Sequence, residues 1–249
     1  PLGNGRIGAM VYGGVREEKI SINEDTLWSG YPKEKRKEDY PSVYKKAKEL
    51  VDADKGKEAQ KFLEQNFGDY LVQMYLPLAD IIIKTEHLDE THYSRVLRLD
   101  TAVHTVKYTV CDTTYTRETF VSEPNQVLAS RFSASKKGSL SFEISLDGRL
   151  ESDILLENNV ILLSGTAPYY DMPYGESYNP QRIYDGKGIS YLAALCVEAT
   201  GGTVRYGKKS IEVKNADEAV IYFAVRNNFK GFNQMPSGEE YREKCLEDI

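Results

Sequence analysis

The sequence predicts a mainly β protein, built as one large antiparallel two-sheet β-sandwich. From Leu76 onward apolar and polar residues alternate, which is the pattern of strands with one buried and one exposed face. Short runs of this kind recur about every 8–12 residues with turn residues between them, as in sandwich domains. Because no linker rich in Pro, Gly and Ser divides the 249 residues, we expect a single sandwich rather than two small domains.

The first thirty residues contain the densest motifs of the chain, at residues 2–10 and 22–30. The run from Gly3 to Gly8 matches G-x-G-x-x-G, a dinucleotide-binding spacing that works only between a strand and a helix. We predict no strand before this run, and the apolar residues 9–14 predict a strand after it. The glycines are therefore interpreted as tight backbone where the chain enters a sheet, and not as a nucleotide site.

A helical hairpin is predicted at about residues 41–67, inserted among the strands. Its two apolar stripes have helical spacing and consist of Val43, Ala47, Leu50 and Val51, then Ala59, Phe62, Leu63 and Phe67. Near the C-terminus, Ser237 and Glu240 have the spacing of a capping box, which predicts a helix from Tyr241 onward. We expect the sandwich to span residues 1–232 and a truncated linker helix to lie in 233–249.

The remaining strands are predicted from alternation and from apolar runs between turns. They lie at residues 81–84, 96–99, 101–110, 115–121, 127–132, 139–146, 160–163, 189–197, 203–206, 210–213 and 219–225. Turns are expected at Asp112–Thr113, Asn158–Asn159, Gly201–Gly202 and Gly207–Lys208. The aromatic, proline-containing stretch 167–180 has no period, and we predict a long loop with a function or a contact to a neighbour.

Composition and charge exclude several classes of protein. The net charge is −6 and the basic residues are scattered, so no nucleic-acid partner is expected. No apolar segment approaches the roughly 20 residues that cross a bilayer, so no membrane partner is expected. Cys111, Cys196 and Cys245 lie far apart and are odd in number, which predicts free thiols. We expect no cofactor.

The three histidines do not predict a metal site. His104 lies among apolar neighbours and is interpreted as a core residue. His87 and His92 bracket the acidic residues 86–90, and this segment is interpreted as solvated charge rather than a set of metal ligands. The chain starts without methionine in dense, specific sequence. We therefore expect a piece of a longer protein, and its compartment, whether secreted, periplasmic or cytoplasmic, stays open.

The motifs at residues 2–10 and 22–30 resemble the N-terminal signature of glycoside hydrolase family 95, whose members are mostly α-L-fucosidases with some α-L-galactosidases. The resemblance continues at residues 76–80, where the family more often has glycine at the position of Ala79, and at 93–102, 115–122 and 201–202. It implies a large sandwich (a supersandwich) followed by helical linkers and an (α/α)6 barrel that holds the catalytic carboxylates. It further implies that this chain is the non-catalytic part of an inverting fucosidase and is inactive alone.

The carboxylates of the chain agree with an absence of catalytic residues. An inverting glycosidase needs two carboxyl groups about 6.5–9.5 Å apart across the scissile bond. Glu24 and Asp25 are neighbours in extended chain and point to opposite faces, so they cannot face each other across a sugar. We expect one to accept hydrogen bonds and the other to be exposed, while a direct substrate contact stays open. The other acidic residues considered, which have no convergent partner, are Asp147, Glu151 and Asp153.

Two functions remain open for the chain. In the first, it supports the missing C-terminal catalytic domain and lends loops to the rim where the glycan substrate binds. The candidates for this seam or rim are Asn4, Arg6, Asn23, Glu24, Trp28, Tyr169 and Tyr174. In the second, it is an autonomous carbohydrate-binding or interaction module, which the 18 tyrosines and the sandwich favour. Exposed apolar seam residues would let the chain self-associate.

Overall fold

The computed structural model describes residues 1–32, 40–67, 73–172 and 181–249. Strands account for far more of these residues than helices do, which confirms the predicted mainly β fold. The strands are β1 (Leu2–Gly3), β2 (Ile7–Val11), β3 (Glu17–Glu24), β4 (Ala79–Lys84), β5 (Thr91–Arg98), β6 (Val103–Val110), β7 (Thr113–Val121), β8 (Val127–Ala134), β9 (Leu140–Gly148), β10 (Ser152–Glu157), β11 (Val160–Thr166), β12 (Tyr170–Met172), β13 (Gln181–Ile183), β14 (Ser190–Thr200), β15 (Thr203–Tyr206), β16 (Ser210–Ala216) and β17 (Glu218–Asn227). The helices are α1 (Tyr40–Asp52), α2 (Gly56–Phe67) and α3 (Glu240–Glu247).

Two antiparallel sheets form the sandwich. One has seven strands in the order β1-β2-β3-β4-β9-β16-β15, and the other has eight in the order β10-β11-β14-β17-β8-β7-β6-β5. A small separate sheet pairs β12 with β13. Along β9 every second residue is buried, so its apolar side chains face the opposite sheet as the alternation predicts. Phe142 of β9 stacks on Phe132 of β8 across this core, with ring centroids 4.9 Å apart.

At one corner of the sandwich the chain passes from one sheet to the other and back. Gly201 and Gly202, with φ of 71° and 65°, lead from β14 in one sheet to β15 in the other. Asp217 leads back from β16 to β17, and its N–H donates to the carbonyl of Thr200 at 2.7 Å. A Cβ on Gly202 would lie 2.2 Å from the carbonyl oxygen of Lys214. The corner therefore needs glycine both for its backbone angles and for its close approach.

The helices lie outside the sandwich core. The hairpin of α1 and α2 is present within the predicted range, and its two helices pack on each other. Helix α3 packs on the outer face of the eight-stranded sheet, where Tyr241 and Cys245 are buried against Leu192 and Ala224. Within the ranges given above, no helix is both long and apolar enough to cross a membrane.

Some details of the predicted elements are wrong. Strand β1 precedes the glycine run, where no strand was predicted. The run leads into strand β2, as predicted, and not into the helix that a dinucleotide-binding turn requires. The turn between β6 and β7 is formed by Cys111 and Asp112, one residue earlier than predicted, with Cys111 at a φ of 53°. Residues 170–172 of the predicted loop form β12, because they pair with β13.

The predicted capping box does not form at α3. Gly238, at a φ of 83°, turns the chain so that Glu239 becomes the N-cap residue in place of Ser237. The Glu239 side chain makes no capping hydrogen bond. Strands β3, β10 and β13 are not among the predicted strands, and β5 begins five residues before its predicted start. Strands β5 and β10 lie at opposite edges of their sheet, where exposure on both faces weakens the alternation.

Candidate functional site

The predicted site residues that the structure describes gather at one end of the sandwich, in two adjoining features. The first is a hydrogen-bonded group, here called the inter-sheet cluster, formed by Asn4, Arg6, Glu24, Thr26, Gln126 and Asn227. The second, here called the aromatic cavity, lies beside the loop that carries Trp28. Sequence reasoning named three members of the cluster and the tryptophan of the cavity.

Asn4 closes the turn between β1 and β2. Its Oδ1 accepts hydrogen bonds from the backbone N–H groups of Arg6, at 3.0 Å, and Ile7, at 2.7 Å. Its Nδ2 donates to the carbonyl of Ser122 at 2.9 Å, on the opposite sheet's side of the sandwich. Gly5 supplies the positive φ of 91° within this turn. Three hydrogen bonds of the Asn4 side chain therefore go to backbone groups, as is typical of Asn in turns.

Arg6 reaches from the same turn to the opposite sheet. Its Nε donates to Oε1 of Gln126 at 2.7 Å, and its Nη1 donates to the carbonyl of Val225. The Nη1 atom also lies 3.8 Å from Oε1 of Glu24. Burial, together with the positive charge of Arg226, lowers the pKa of Arg6. An arginine remains charged in proteins, so the group still brings a cation into this end of the sandwich.

Glu24 ends β3 as a buried carboxylate, 2% exposed. Its Oε2 accepts from the N–H and the hydroxyl of Thr26, at 2.9 and 2.8 Å, and from Nδ2 of Asn227 at 2.7 Å. Burial raises the pKa of Glu24, and the hydrogen bonds from Thr26 oppose the rise. The neighbouring Asp25 is exposed. The pair therefore divides into one hydrogen-bonded and one exposed carboxylate, as strand geometry predicts.

Trp28 is held rigidly although it is 38% exposed. Its indole N–H donates to the carbonyl of Asp25 at 2.9 Å, and an isolated antiparallel bridge joins Trp28 to Tyr75. The two rings are tilted, with centroids 5.2 Å apart. Asn23 ties the end of β3 to the same segment, because its Nδ2 donates to the carbonyl of Leu76 at 3.3 Å.

The aromatic cavity has a volume of about 210 Å³ and lies between two loops. Trp28, Gly30, Tyr31 and Pro32 line one side, and Phe229, Gly231, Phe232, Gln234 and Pro236 line the other, with Gln73 and Ile189 completing the wall. Tyr31 donates from its hydroxyl to Oδ2 of Asp185 at 2.7 Å, and its ring lies 5.4 Å from that of Tyr169. Tyr169 thus adjoins the cavity through Tyr31. The remaining candidate, Tyr174, lies outside the described residues.

Sequence reasoning missed the partners at the end of β17, in the loop after it and directly before β8. Asn227 completes the inter-sheet cluster, Gln126 binds Arg6, and Phe229 and Phe232 line the cavity. A signal was present, since two phenylalanines and a glycine directly follow a predicted strand in residues 226–232. The position of this segment beside Trp28 could not be predicted from the sequence, because about 200 residues separate the two.

The histidines and the other carboxylates lie elsewhere. His87 Nδ1 lies 2.9 Å from the hydroxyl of Tyr108, and burial lowers the pKa of His87. His104 is buried in the core, 6% exposed. Across residues 1–32, 40–67, 73–172 and 181–249, no group of three or more His, Cys, Asp and Glu could hold a metal ion. Glu151 and Asp153 line an open polar depression on another part of the surface.

Comparison with known proteins gives a family match and several relatives. A family model described as "Glycosyl hydrolase family 65, N-terminal domain" matches residues 1–232. "Alpha-L-fucosidase 2" of Arabidopsis thaliana is 36% identical over 248 residues, which cover 95% of this chain and 29% of that protein. Proteins named "Probable alpha-fucosidase A" are 29% identical in Aspergillus niger, over 94% of this chain and 29% of the relative, and 25% identical in Aspergillus oryzae, over 92% and 31%. The chain spans about three tenths of the length of these relatives.

Proposed function

The chain belongs to the family of glycosyl hydrolase family 65 N-terminal domains, and on this premise we propose that it is the non-catalytic N-terminal domain of an inverting α-L-fucosidase. In this role the sandwich supports a separate catalytic domain, with which it makes its main contact. The end that carries Trp28 faces that domain and the glycan. The α-fucosidase names of the relatives support the substrate, because three of them match nearly the whole chain.

The observation that carries the non-catalytic role is the state of Glu24. A catalytic carboxyl group must reach the scissile bond or its attacking water. The oxygen Oε2 of Glu24 accepts three hydrogen bonds within the protein, and Oε1 faces Arg6. Asp248, a second carboxylate near this end, accepts two hydrogen bonds from Arg226, at 2.6 and 2.9 Å. Both groups are engaged in holding the fold.

Exposed aromatic residues support an interaction of this end of the sandwich with the catalytic domain or the glycan. Trp28, Tyr75, Phe229 and Phe232 are between 37% and 88% exposed and lie in or next to the aromatic cavity. Grouped apolar exposure of this kind marks interaction sites on soluble proteins. The inter-sheet cluster lies beneath this surface and fixes it relative to both sheets.

The test is hydrolysis of an aryl α-L-fucoside by the full-length protein that carries this chain. We expect the full-length protein to release β-L-fucose first, as proton NMR of the anomers would show, and the 249-residue chain to be inactive. The isosteric variants Glu24→Gln and Asp25→Asn should keep kcat within about threefold. Loss of a catalytic acid or base would instead cost roughly 10²–10⁴-fold. A loss of that size in either variant would place the carboxylate in the catalytic machinery and contradict the proposal.

A further inference from the structure

The aromatic cavity is preformed. The indole of Trp28 is fixed by its hydrogen bond to Asp25 and by the ring of Tyr75, and Tyr31 is fixed by Asp185. Both rings line the cavity in these fixed positions. A ligand that binds between them therefore does not have to order them first, which lowers the entropic cost of binding.

Gly30 keeps the cavity open. It adopts a φ of 75°, and its N–H donates to the carbonyl of Pro168 at 2.8 Å. A Cβ at this position would lie 3.1 Å from Nε2 of Gln73 and 3.3 Å from the carbonyl oxygen of Tyr169. An alanine would therefore be strained and would press against the cavity wall.

The lining selects the chemistry of the ligand. Four aromatic rings, those of Trp28, Tyr31, Phe229 and Phe232, supply apolar faces, and Gln73 and Gln234 supply carboxamide groups. None of the described lining residues is an Asp, Glu, Lys or Arg, so a charged ligand would find no counter-ion in the wall. Aromatic faces bind the C–H face of a sugar ring, while carboxamides donate to and accept from its hydroxyl groups.

The size of the cavity restricts the ligand further. Its volume of about 210 Å³ is below the roughly 300–1,000 Å³ of pockets for drug-sized ligands. It suits one six-membered ring and is too small to enclose a longer oligosaccharide segment. Phe232 is 88% exposed and lines the cavity, so its ring remains available to a ligand that enters.

We propose that the aromatic cavity is an accessory site that binds one neutral pyranose ring of the glycan substrate. The inference rests on the proposed function, since that function brings a glycan to this end of the sandwich. Binding uses stacking on Trp28 and Phe232 and hydrogen bonds to Gln73. The site holds the glycan beside the catalytic domain and takes no part in bond cleavage.

The single tryptophan gives a direct test. Because Trp28 is the only tryptophan in the chain, all tryptophan emission comes from one residue of the cavity wall. Titration of the 249-residue chain with methyl α-L-fucopyranoside should change the emission in a saturable way, with a Kd of about 1–10 mM. Saturation-transfer NMR on the same samples should show transfer from the protein to the sugar.

Variants separate this site from general surface binding. Phe232→Ala should weaken binding at least fivefold and leave the fold intact, because the side chain is 88% exposed. Leu99→Ala is the matched control, since Leu99 is 87% exposed at the β5 edge of the sheet, and it should bind like the wild type. Gln73→Ala should also weaken binding.

Three results would overturn the inference. The first is the absence of both the fluorescence change and the NMR transfer at sugar concentrations well above the expected Kd. The second is equal sugar binding by Phe232→Ala and the wild type. The third is emission that changes with protein concentration rather than with sugar concentration, which would indicate a second copy of the chain in the cavity. These results are distinguishable from failure of the proposed function. Sugar binding without hydrolysis by the full-length protein would refute only the fucosidase, and hydrolysis without sugar binding by the chain would refute only the accessory site.

Discussion

Glu18 and Arg117 form an ion pair that is almost fully buried between the two sheets. Arg117 Nη1 lies 3.1 Å from Glu18 Oε2, and the two side chains are 6% and 3% exposed. Glu18 Oε1 also accepts hydrogen bonds from the N–H groups of Tyr12, at 3.1 Å, and Gly13, at 2.8 Å. Arg117 donates to the carbonyl of Gly14. The pair therefore attaches the bend between β2 and β3 to the opposite sheet.

We expect Arg117→Met to lower the free energy of unfolding by about 3–5 kcal/mol, because it leaves the Glu18 carboxylate buried without its cation. Urea denaturation monitored by circular dichroism would measure the change. Arg131→Met on the neighbouring strand β8 is the control. Arg131 pairs with Glu218 at 2.6 Å, but its side chain is 53% exposed, so its removal should cost only about 0–1 kcal/mol. Equal effects of the two variants would contradict the prediction.

Asn4 shows how far single residues can be interpreted from sequence. The cluster of Asn, Arg and Gly in residues 2–10 marks a special backbone, and the structure contains a special turn there. The sequence could not tell a turn residue from a ligand-binding residue, because Asn uses the same amide group for both. The roles of Glu24 and Asp25 were easier to predict, because strand geometry alone places their side chains on opposite faces.

Helix α3 covers part of the outer face of the eight-stranded sheet. Cys245 is fully buried beneath it and donates from its thiol to the carbonyl of Leu192 at 3.2 Å. Arg226 of β17 binds Asp248, the C-cap residue, through two hydrogen bonds. Burial raises the pKa of Cys245 to about 12, whereas Cys111 is exposed in the β6–β7 turn.

Thiol labelling should therefore report on the docking of α3. At neutral pH we expect Cys111 to react first and Cys245 to react only when the helix opens, since the thiolate is the reactive form. Asp248→Asn should accelerate labelling of Cys245 by roughly 5–30-fold, because weakening the contact to Arg226 by one or two kcal/mol shifts the opening equilibrium that much. Peptide mass spectrometry would follow each cysteine. Asp100→Asn, at an exposed ion pair with Arg98, should leave the rate unchanged.

The elements were predictable where one face of a strand is buried and the other is not. Strand β9 shows strict alternation in sequence and in burial. Strand β10 lies at a sheet edge, and its residues alternate only between partly exposed and exposed. Its alternation is therefore too weak to predict a strand from sequence. The turn at Asn158–Asn159 was predictable because Asn tolerates positive φ better than other non-glycine residues do. Both residues adopt positive φ in the structure.

At the scale of the whole molecule, the sandwich and the N-terminal glycoside hydrolase domain were predictable, and the meeting of distant strand ends was not. The motifs resemble family 95, and the matching family model carries the description of family 65; both indicate the N-terminal domain of a glycoside hydrolase. Periodicity is local, so it cannot show that Arg6 reaches Gln126 or that Glu24 reaches Asn227. Those contacts depend on strand order.

Glu24, which binds Asn227 on the opposite sheet, should make the stability of the fold depend on pH. Burial raises the pKa of Glu24 above its ordinary value of 4.5. The stability that its proton contributes is therefore fully present below about pH 4.5 and is lost as pH rises through the folded-state pKa. In Glu24→Gln the amide oxygen can still accept hydrogen bonds, but the group does not titrate.

We expect the free energy of unfolding of the wild type, relative to Glu24→Gln, to fall as the pH rises from about 4 to 7. Urea denaturation at several pH values would measure this difference. Asp25→Asn removes a neighbouring negative charge that helps to raise the pKa of Glu24, so the pH dependence should be weaker in this variant than in the wild type. A relative stability that rises with pH would show that Arg6 and the hydrogen bonds lower the pKa of Glu24, contrary to the prediction.

The long separation between Glu24 and its partner has a consequence for biosynthesis. Asn227 lies 203 residues after Glu24, so at about 5–20 residues per second the ribosome needs roughly 10–40 s to synthesise the intervening chain. During this time β2 and β3 have neither the opposite strand β17 nor the cavity wall formed by Phe229 and Phe232. Strands β2 and β3 therefore pair with each other and with β4 well before they reach β17, and until then their apolar side chains remain accessible to chaperones.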